Sequence, residues 1–209
     1  MRALRIALTK GRLEKDTLAL FRRLGYDCGA LENKGRKHIL HIPDVNLDVV
    51  LAKAYDVITY VENGVCDLGV VGKDTIMEYS GSYFEVCDLG FGKCRFAVAA
   101  EKGKELYSGY NVKTIATKYP NVARAFFESK GMDLRIIKSE GSVELAPLLG
   151  LSDAIVDIVE TGTTLKENGL EVIEEIAPIS ARLIVNPASA KLRQQEIEFI
   201  IGKLEEAKQ

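Results

Sequence analysis

Two hydrophobic periods alternate along this chain. Ala3 to Leu8 is a short apolar run of the kind a buried strand makes, and it ends in the turn Thr9-Lys10-Gly11-Arg12. Leu13, Thr17, Leu20, Phe21 and Leu24 then mark one face of a helix, which Gly25 stops. Lys37 to Pro43 and Leu47 to Ala52 predict strands, with His38, Leu40 and Ile42 on one side of the first and His41 on the other. Ala54 to Asn63 predicts a helix ending at Gly64, and Asp67 to Val71 a strand. Gly72-Lys73-Asp74 opens a helix carrying Ile76 and Met77.

From Phe84 the pattern changes. Phe84 to Leu89 and Arg95 to Ala100 predict two strands joined by Gly90-Phe91-Gly92-Lys93, so a boundary is expected near residue 90. Val112 to Thr117 predicts a strand, and Lys118-Tyr119-Pro120 leads into a helix over Val122 to Lys130. Strands follow at Leu134 to Lys138, Asp153 to Val159, Glu171 to Pro178 and Arg182 to Val185. Asn186-Pro187 caps a last helix whose apolar positions include Leu192, Phe199, Ile200 and Leu204. Strand and helix alternating in this way predict an α/β chain with mostly parallel sheets. CDLGVVGKDTI, from Cys66, and SDAIVDIVETGTTL, from Ser152, both run strand, glycine turn, helix, which is a weak internal similarity.

Composition narrows the function. The 209 residues are 47% hydrophobic and 28% charged, as in a globular protein, with room for two small domains or one large one. A net charge of −2 disfavours bulk nucleic-acid binding. No apolar run is long enough for a membrane span, and the first residues lack the pattern of a signal peptide, so a cytoplasmic protein is expected. Cys28, Cys66, Cys87 and Cys94 form no C-x-x-C pair and lie far from His38 and His41. Reduced thiols are expected, and neither a zinc site nor a catalytic histidine is.

The densest chemistry lies between Glu140 and Leu165. Ser142 opens a short helical run through Leu145, Leu148 and Leu149, the strand to Val159 follows, and Thr161-Gly162-Thr163-Thr164 turns into a helix that Gly169 ends. A strand feeding a Thr/Gly turn at a helix start gathers backbone N–H groups and hydroxyls at one point, which is an anion site. Asp157 stands just before that turn, where it can accept hydrogen bonds from sugar hydroxyls. Phosphate donors beside a hydroxyl acceptor describe a site for a phosphorylated ribose. Glu140 and Asp153 are lesser candidates for the hydroxyls, and Asp153 also suits a cap on the strand entrance. Cations recur at strand ends beside glycine or threonine turns: Lys10 and Arg12 around Gly11, Lys73 after Gly72, Arg95 near the boundary, and Lys118.

Glu144, Gly150, Asp157, Thr161, Gly162, Thr164 and Leu165 stand at the spacing of a 22-residue signature, and on them the chain resembles the ATP phosphoribosyltransferases, which catalyse the first step of histidine biosynthesis. ALTKGRL at Ala7, DLGVVGKD at Asp67, GKCRFAVA at Gly92, ATKYPNVAR at Ala116 and RLIVNPAS at Arg182 extend the resemblance over nearly the whole chain. It implies a two-lobed fold similar to periplasmic binding proteins of the second type, with the active site in the inter-lobe cleft. Residues 1–90 and 180–209 would form one lobe, and residues 91–179 the other, carrying the phosphoribosyl loop. It implies transfer of the phosphoribosyl group of 5-phosphoribosyl pyrophosphate to N1 of ATP, giving phosphoribosyl-ATP and pyrophosphate.

On that resemblance Asp157, Glu160, Thr161, Gly162, Thr163 and Thr164 bind phosphoribosyl pyrophosphate. Lys10, Gly11, Arg12, Lys73, Arg95 and Lys118 serve ATP and pyrophosphate, in a division left open. Asp157, Arg12 and Arg95 are the catalytic candidates. Magnesium is expected to arrive on the substrate, with no protein ligand named; Glu144 suits either that ion or a lysine. The resemblance ends with the last helix, as in the short form of the family. A homodimer core within a hetero-octamer, completed by a histidyl-tRNA-synthetase-like regulatory subunit, is therefore expected. A phosphoribosyltransferase acting on another base and a two-lobed sensor without chemistry are the competing readings, and pyrophosphate release with ATP separates the three.

Overall fold

A computed structural model describes residues 2–33, 35–109 and 111–208. The chain first forms β1 (Leu4–Thr9), α1 (Arg12–Arg23), α2 (Gly29–Glu32), β2 (Ile39–Ile42) and β3 (Leu47–Ala52). There follow α3 (Ala54–Glu62), β4 (Leu68–Gly72), α4 (Lys73–Glu78) and β5 (Phe84–Asp88). Next come β6 (Cys94–Glu101), β7 (Lys113–Thr117), α5 (Pro120–Ser129), β8 (Leu134–Lys138) and α6 (Leu145–Leu148). The remainder is β9 (Ala154–Val159), α7 (Thr163–Glu167), β10 (Leu170–Ile179), β11 (Ala181–Val185), α8 (Pro187–Leu192) and α9 (Gln194–Glu206). Two compact units result: Met1–Gly92 with Ser180–Gln209, and Lys93–Ile179.

Unit 1 holds a sheet in the order β2-β3-β1-β4-β11-β5 among the described residues. Its centre, β3-β1-β4, is parallel, because helices α1 and α3 lie between these strands in the chain and carry it back. Alternate residues of β1 go to opposite faces. Leu4, Ile6 and Leu8 join Leu20, Phe21 and Ile200 on one side, and Ala7 meets Val57 and Val61 of α3 on the other. Unit 2 holds the order β10-β6-β9-β7-β8, in which β9-β7-β8 is parallel. Ala97, Ala116, Ile155, Val159 and Leu165 are buried together there.

The expectation of mostly parallel sheets is corrected: both are mixed. β2, β5 and β11 pair antiparallel in unit 1, and β6 and β10 in unit 2. Where the chain runs from one strand to the next of the same sheet without a crossover helix, as from β2 to β3, it returns in the opposite direction. The single last helix is also corrected. Arg193 leaves helical geometry (φ −130°) between α8 and α9, and Leu192 is exposed rather than packed. The Arg193 guanidinium is drawn back to the first strand, donating to the Arg2 and Ala3 carbonyls and pairing with Asp67 and Glu196. Among the described residues, no helix is long and apolar enough to cross a membrane.

Candidate functional site

β9 lies between β6 and β7 in the sheet of unit 2, with Asp157 opposite Ala97. Its carboxyl end runs into the Thr161-Gly162-Thr163-Thr164 turn. Gly162 has φ 78° and ψ 8°, a left-handed conformation that starts α7. A Cβ there would meet only Val159 Cγ1, at 3.7 Å, an ordinary contact. The torsion, not a lack of space, therefore demands glycine. The Thr161 and Thr163 hydroxyls are 3.0 Å apart, and the Thr163 N–H donates to Thr161 Oγ1 at 3.3 Å. The first N–H groups of a helix have no carbonyl of their own helix to bond. Glu144 and every residue from Asp157 to Leu165 line a cavity of about 260 Å³ at this turn.

The cavity holds two unlike electrostatic elements. Hydroxyls and N–H groups at the turn offer an anion neutral donors at fixed places. Asp157, half-buried, offers a carboxylate whose pKa burial pushes up to about 6. A hydrogen bond with the Ile158 backbone and the charge of Lys118 oppose that rise, and the charge of Glu144 adds to it. Lys118 follows β7, which pairs with β9 through Thr117 and Val156. The Thr117 hydroxyl donates to the Val156 carbonyl at 2.6 Å, tying the two strand ends together. Arg95, on β6 opposite Val159, donates to the Glu160 carbonyl at 3.3 Å and pairs with Glu175 at 2.7 Å. It thereby braces the entrance to the turn.

Unit 2 thus brings together Asp157, Glu160, Thr161, Gly162, Thr163 and Thr164, with Arg95 and Lys118 at their side. It also shows why two lesser candidates stand apart. Asp153 accepts from the Thr114 N–H at 2.8 Å and pairs with Lys104, so it closes the strand entrance. Exposed Glu140 pairs with Lys138 at 2.9 Å.

Lys10, Gly11, Arg12 and Lys73 belong to unit 1. They follow β1 and β4, which are adjacent and parallel, so all four lie at the carboxyl ends of the sheet's central strands. Gly11 has φ 100° and ψ −127°, open only to glycine, and its N–H donates to Glu14 Oε2 at 3.2 Å. Arg12 pairs with Asp16 at 3.8 Å, and Lys73 with Glu85 at 2.6 Å. Exposed Lys53 was not among the sequence candidates. It follows β3, the parallel neighbour of β1, and starts α3, so it sits in the same place as Lys10 and Lys73. The signal was present, a lysine between a strand and a helix, but without the glycine that marked the others.

A family model described as ATP phosphoribosyltransferase matches residues 53–206. An ATP phosphoribosyltransferase of Clostridium kluyveri is 60% identical over 204 residues, covering 98% of this chain and 93% of the relative. One from Listeria monocytogenes is 56% identical over 207 residues, covering 99% and 97%. Among solved structures, the ATP phosphoribosyl transferase (HisG:HisZ) complex from Thermotoga maritima has a chain matching with a TM-score of 0.83 at 37% identity, over 98% of both chains. The periplasmic aliphatic sulphonate binding protein SsuA from Escherichia coli matches with a TM-score of 0.61 at 12% identity, over 100% of this chain and 73% of that one, a likeness of fold alone. The α/β fold of two units is of the periplasmic-binding-protein kind, type II.

Proposed function

The chain belongs to the ATP phosphoribosyltransferase family, and from that premise we propose that it joins ATP to 5-phosphoribosyl pyrophosphate, using the cavity of unit 2 for the phosphoribosyl group. One observation carries the assignment of that cavity. Glu144, Asp157 and the Thr161–Thr164 turn line the same 260 Å³ of space, so a hydroxyl acceptor and phosphate donors stand within one sugar phosphate of each other.

Adenine N1 bonds to ribose C1 as the bond from C1 to the pyrophosphate oxygen breaks. No proton is taken up and no enzyme nucleophile is needed. N1 is a weak nucleophile, since its lone pair lies in the plane of an electron-poor ring. The barrier must fall through alignment of the two substrates and through charge placed around C1 and the leaving group. Thr161, Gly162, Thr163 and Thr164 take the 5-phosphate, with Glu160 fixing the loop through its carbonyl. Asp157 accepts from the ribose hydroxyls and, when ionised, stabilises positive charge growing at C1. Arg95 and Arg12 act on the departing pyrophosphate, and Lys10, Gly11, Lys73 and Lys118 complete the set that serves pyrophosphate and the ATP phosphates.

Magnesium enters with the substrate. Bound with that substrate through oxygen ligands, it would supply neutralisation of the leaving group's charge. Of the carboxylates lining the cavity, Glu144, Asp157 and Glu160, Glu144 is the one that would suit it. A second, regulatory subunit is part of this reading, supported by the HisG:HisZ complex in which the Thermotoga maritima chain was solved. So is a cytoplasmic setting, supported by four free cysteines.

The test is to mix ATP, magnesium and phosphoribosyl pyrophosphate with the chain and follow pyrophosphate release together with absorbance near the adenine band. Release that depends on ATP, with a matching absorbance change, is expected. Release with another base in place of ATP, or no release with the second subunit present, would overturn the reading.

A further inference from the structure

Lys73 opens α4 at the end of β4, and its side chain already has a partner. Its Nζ lies 2.6 Å from Glu85 Oε2 on β5. The other oxygen of Glu85 is 3.4 Å from Arg182 Nη1 on β11, and Arg182 Nη2 is 3.2 Å from Asp88 Oδ2. Asp88 in turn accepts from the Ser180 hydroxyl at 2.9 Å and the Gly90 N–H at 2.8 Å. Two cations and two carboxylates therefore alternate in a row, Lys73–Glu85–Arg182–Asp88, with no net charge.

A neutral row has no net pull on a polyphosphate. Its two ends differ, however. Asp88 is tied down by two neutral donors, whereas Lys73 is held by Glu85 alone within the row. If Lys73 leaves, Glu85 keeps Arg182 and Arg182 keeps Asp88, so no charge of the row is orphaned. The Lys73–Glu85 pair is also partly exposed, with side chains 28% and 26% accessible, so water can follow the exchange.

We propose that Glu85 is a built-in counter-ion for Lys73, displaced when a pyrophosphate or triphosphate group binds at the end of β4. This rests on the reading of Lys73 as a phosphate ligand. Glu85 acts through Lys73 and is a positioning residue. It keeps a flexible four-carbon stem folded at the end of β4, and it sets a threshold that a multiply charged polyphosphate passes and a singly charged anion does not.

Calorimetric titration of the full chain with inorganic pyrophosphate, and separately with ATP, both with magnesium, tests this. Lys73→Gln is expected to weaken at least one of the two ligands about tenfold. Glu85→Gln is expected to tighten the same ligand about threefold, a gain that a merely structural role would not produce. In the Lys73→Gln background Glu85→Gln should change nothing. Thermal melts of each variant check the fold, which Arg182 paired with Asp88 should preserve in Glu85→Gln. A loss with Lys73→Gln but no gain with Glu85→Gln overturns the proposal and leaves Lys73 a ligand. So does a gain that persists in the Lys73→Gln background, since it would reflect removal of a negative charge at large. No effect of Lys73→Gln on either ligand removes Lys73 from the site and this proposal with it.

Discussion

The turn after β9 and the turn after β4 share a plan, a strand that ends in glycine and threonine or lysine before a short helix, yet they would hold an anion by different means. After β9 the donors are the hydroxyls of Thr161 and Thr163 and the N–H groups of the first turn, all within two bonds of the backbone. After β4 the donor is an ammonium at the end of a flexible stem, and it already faces the carboxylate of Glu85. Donors fixed to the backbone lose little freedom on binding and define where a phosphate sits. A lysine supplies more charge but less direction, and its counter-ion must be displaced. The carboxylates differ as well. Asp157 is half-buried, with its pKa pushed up to about 6, whereas Glu85 is more open and shared between two cations. The first turn is built to place a group and the second to exchange one.

Substitutions in the two turns test that contrast, the largest effect coming from Asp157. Asp157→Asn keeps the shape and removes the charge, and turnover should fall ~10²-fold, the range for an electrostatic catalytic group. Single-turnover rates check this, and a rate within a factor of two of the parent would leave the carboxylate only a binding role. Next comes Gly162→Val. With φ at 78°, a β-branched residue strains the loop by ~1–3 kcal/mol or pulls it out of place. Phosphoribosyl pyrophosphate should bind at least ~1 kcal/mol more weakly, with ATP affected less. Unaltered sugar-phosphate affinity in a folded Gly162→Val protein would contradict the fixed-donor account.

The pH dependence of stability follows from the same carboxylate. The folded pKa of Asp157, about 6, lies above the ordinary 3.8, so its ionised form is disfavoured in the folded chain. Above pH 6 the group costs stability, and below about pH 4 it is protonated in both states and costs none. Asp157→Asn should therefore stabilise the chain by ~1–2 kcal/mol at neutral pH, the full linkage being reduced by partial exposure. That gain should fade between pH 6 and pH 4. Denaturant melts across this range read it, and a gain that does not change with pH would mean that the carboxylate is not desolvated. The smallest effect is expected at the other kind of turn. Arg12→Gln removes the exposed pair with Asp16 and should alter stability by less than ~0.5 kcal/mol while weakening pyrophosphate binding. Destabilisation above ~1 kcal/mol would make Arg12 a structural residue rather than an exchangeable cation.

Much of this was legible from neighbouring residues. The α/β alternation, the helix at Arg12 to Arg23 and the turn at Thr161 to Thr164 depend on spacings of a few positions, and the structure has them. The strand directions were less legible. The pattern suggested mostly parallel sheets, but whether β6 or β11 runs with or against its neighbour depends on where the chain goes next. The last helix misled because Leu192 fits the helical period. It is exposed because Arg193, just after it, is drawn to Arg2, Ala3 and Asp67. Asp67 read as no more than the start of a strand. It is buried, and although burial raises its pKa, hydrogen bonds from Arg2, Ser189 and the Arg5 N–H leave it below the ordinary range.

The sequence by itself determined the elements and the chemistry of their turns, because helical period, strand alternation and the freedom of Gly162 act over one or two turns of chain. It also determined which residue types stand at the strand ends. The tertiary structure alone decided the environment of those residues. Asp157 is raised to about 6 because the folded sheet buries it, with the charge of Glu144 adding to the rise and that of Lys118 opposing it. Lys73 faces Glu85 because β4, β11 and β5 lie side by side. Desolvation and charge act through space rather than along the chain, so they exist only once strands distant in sequence are paired.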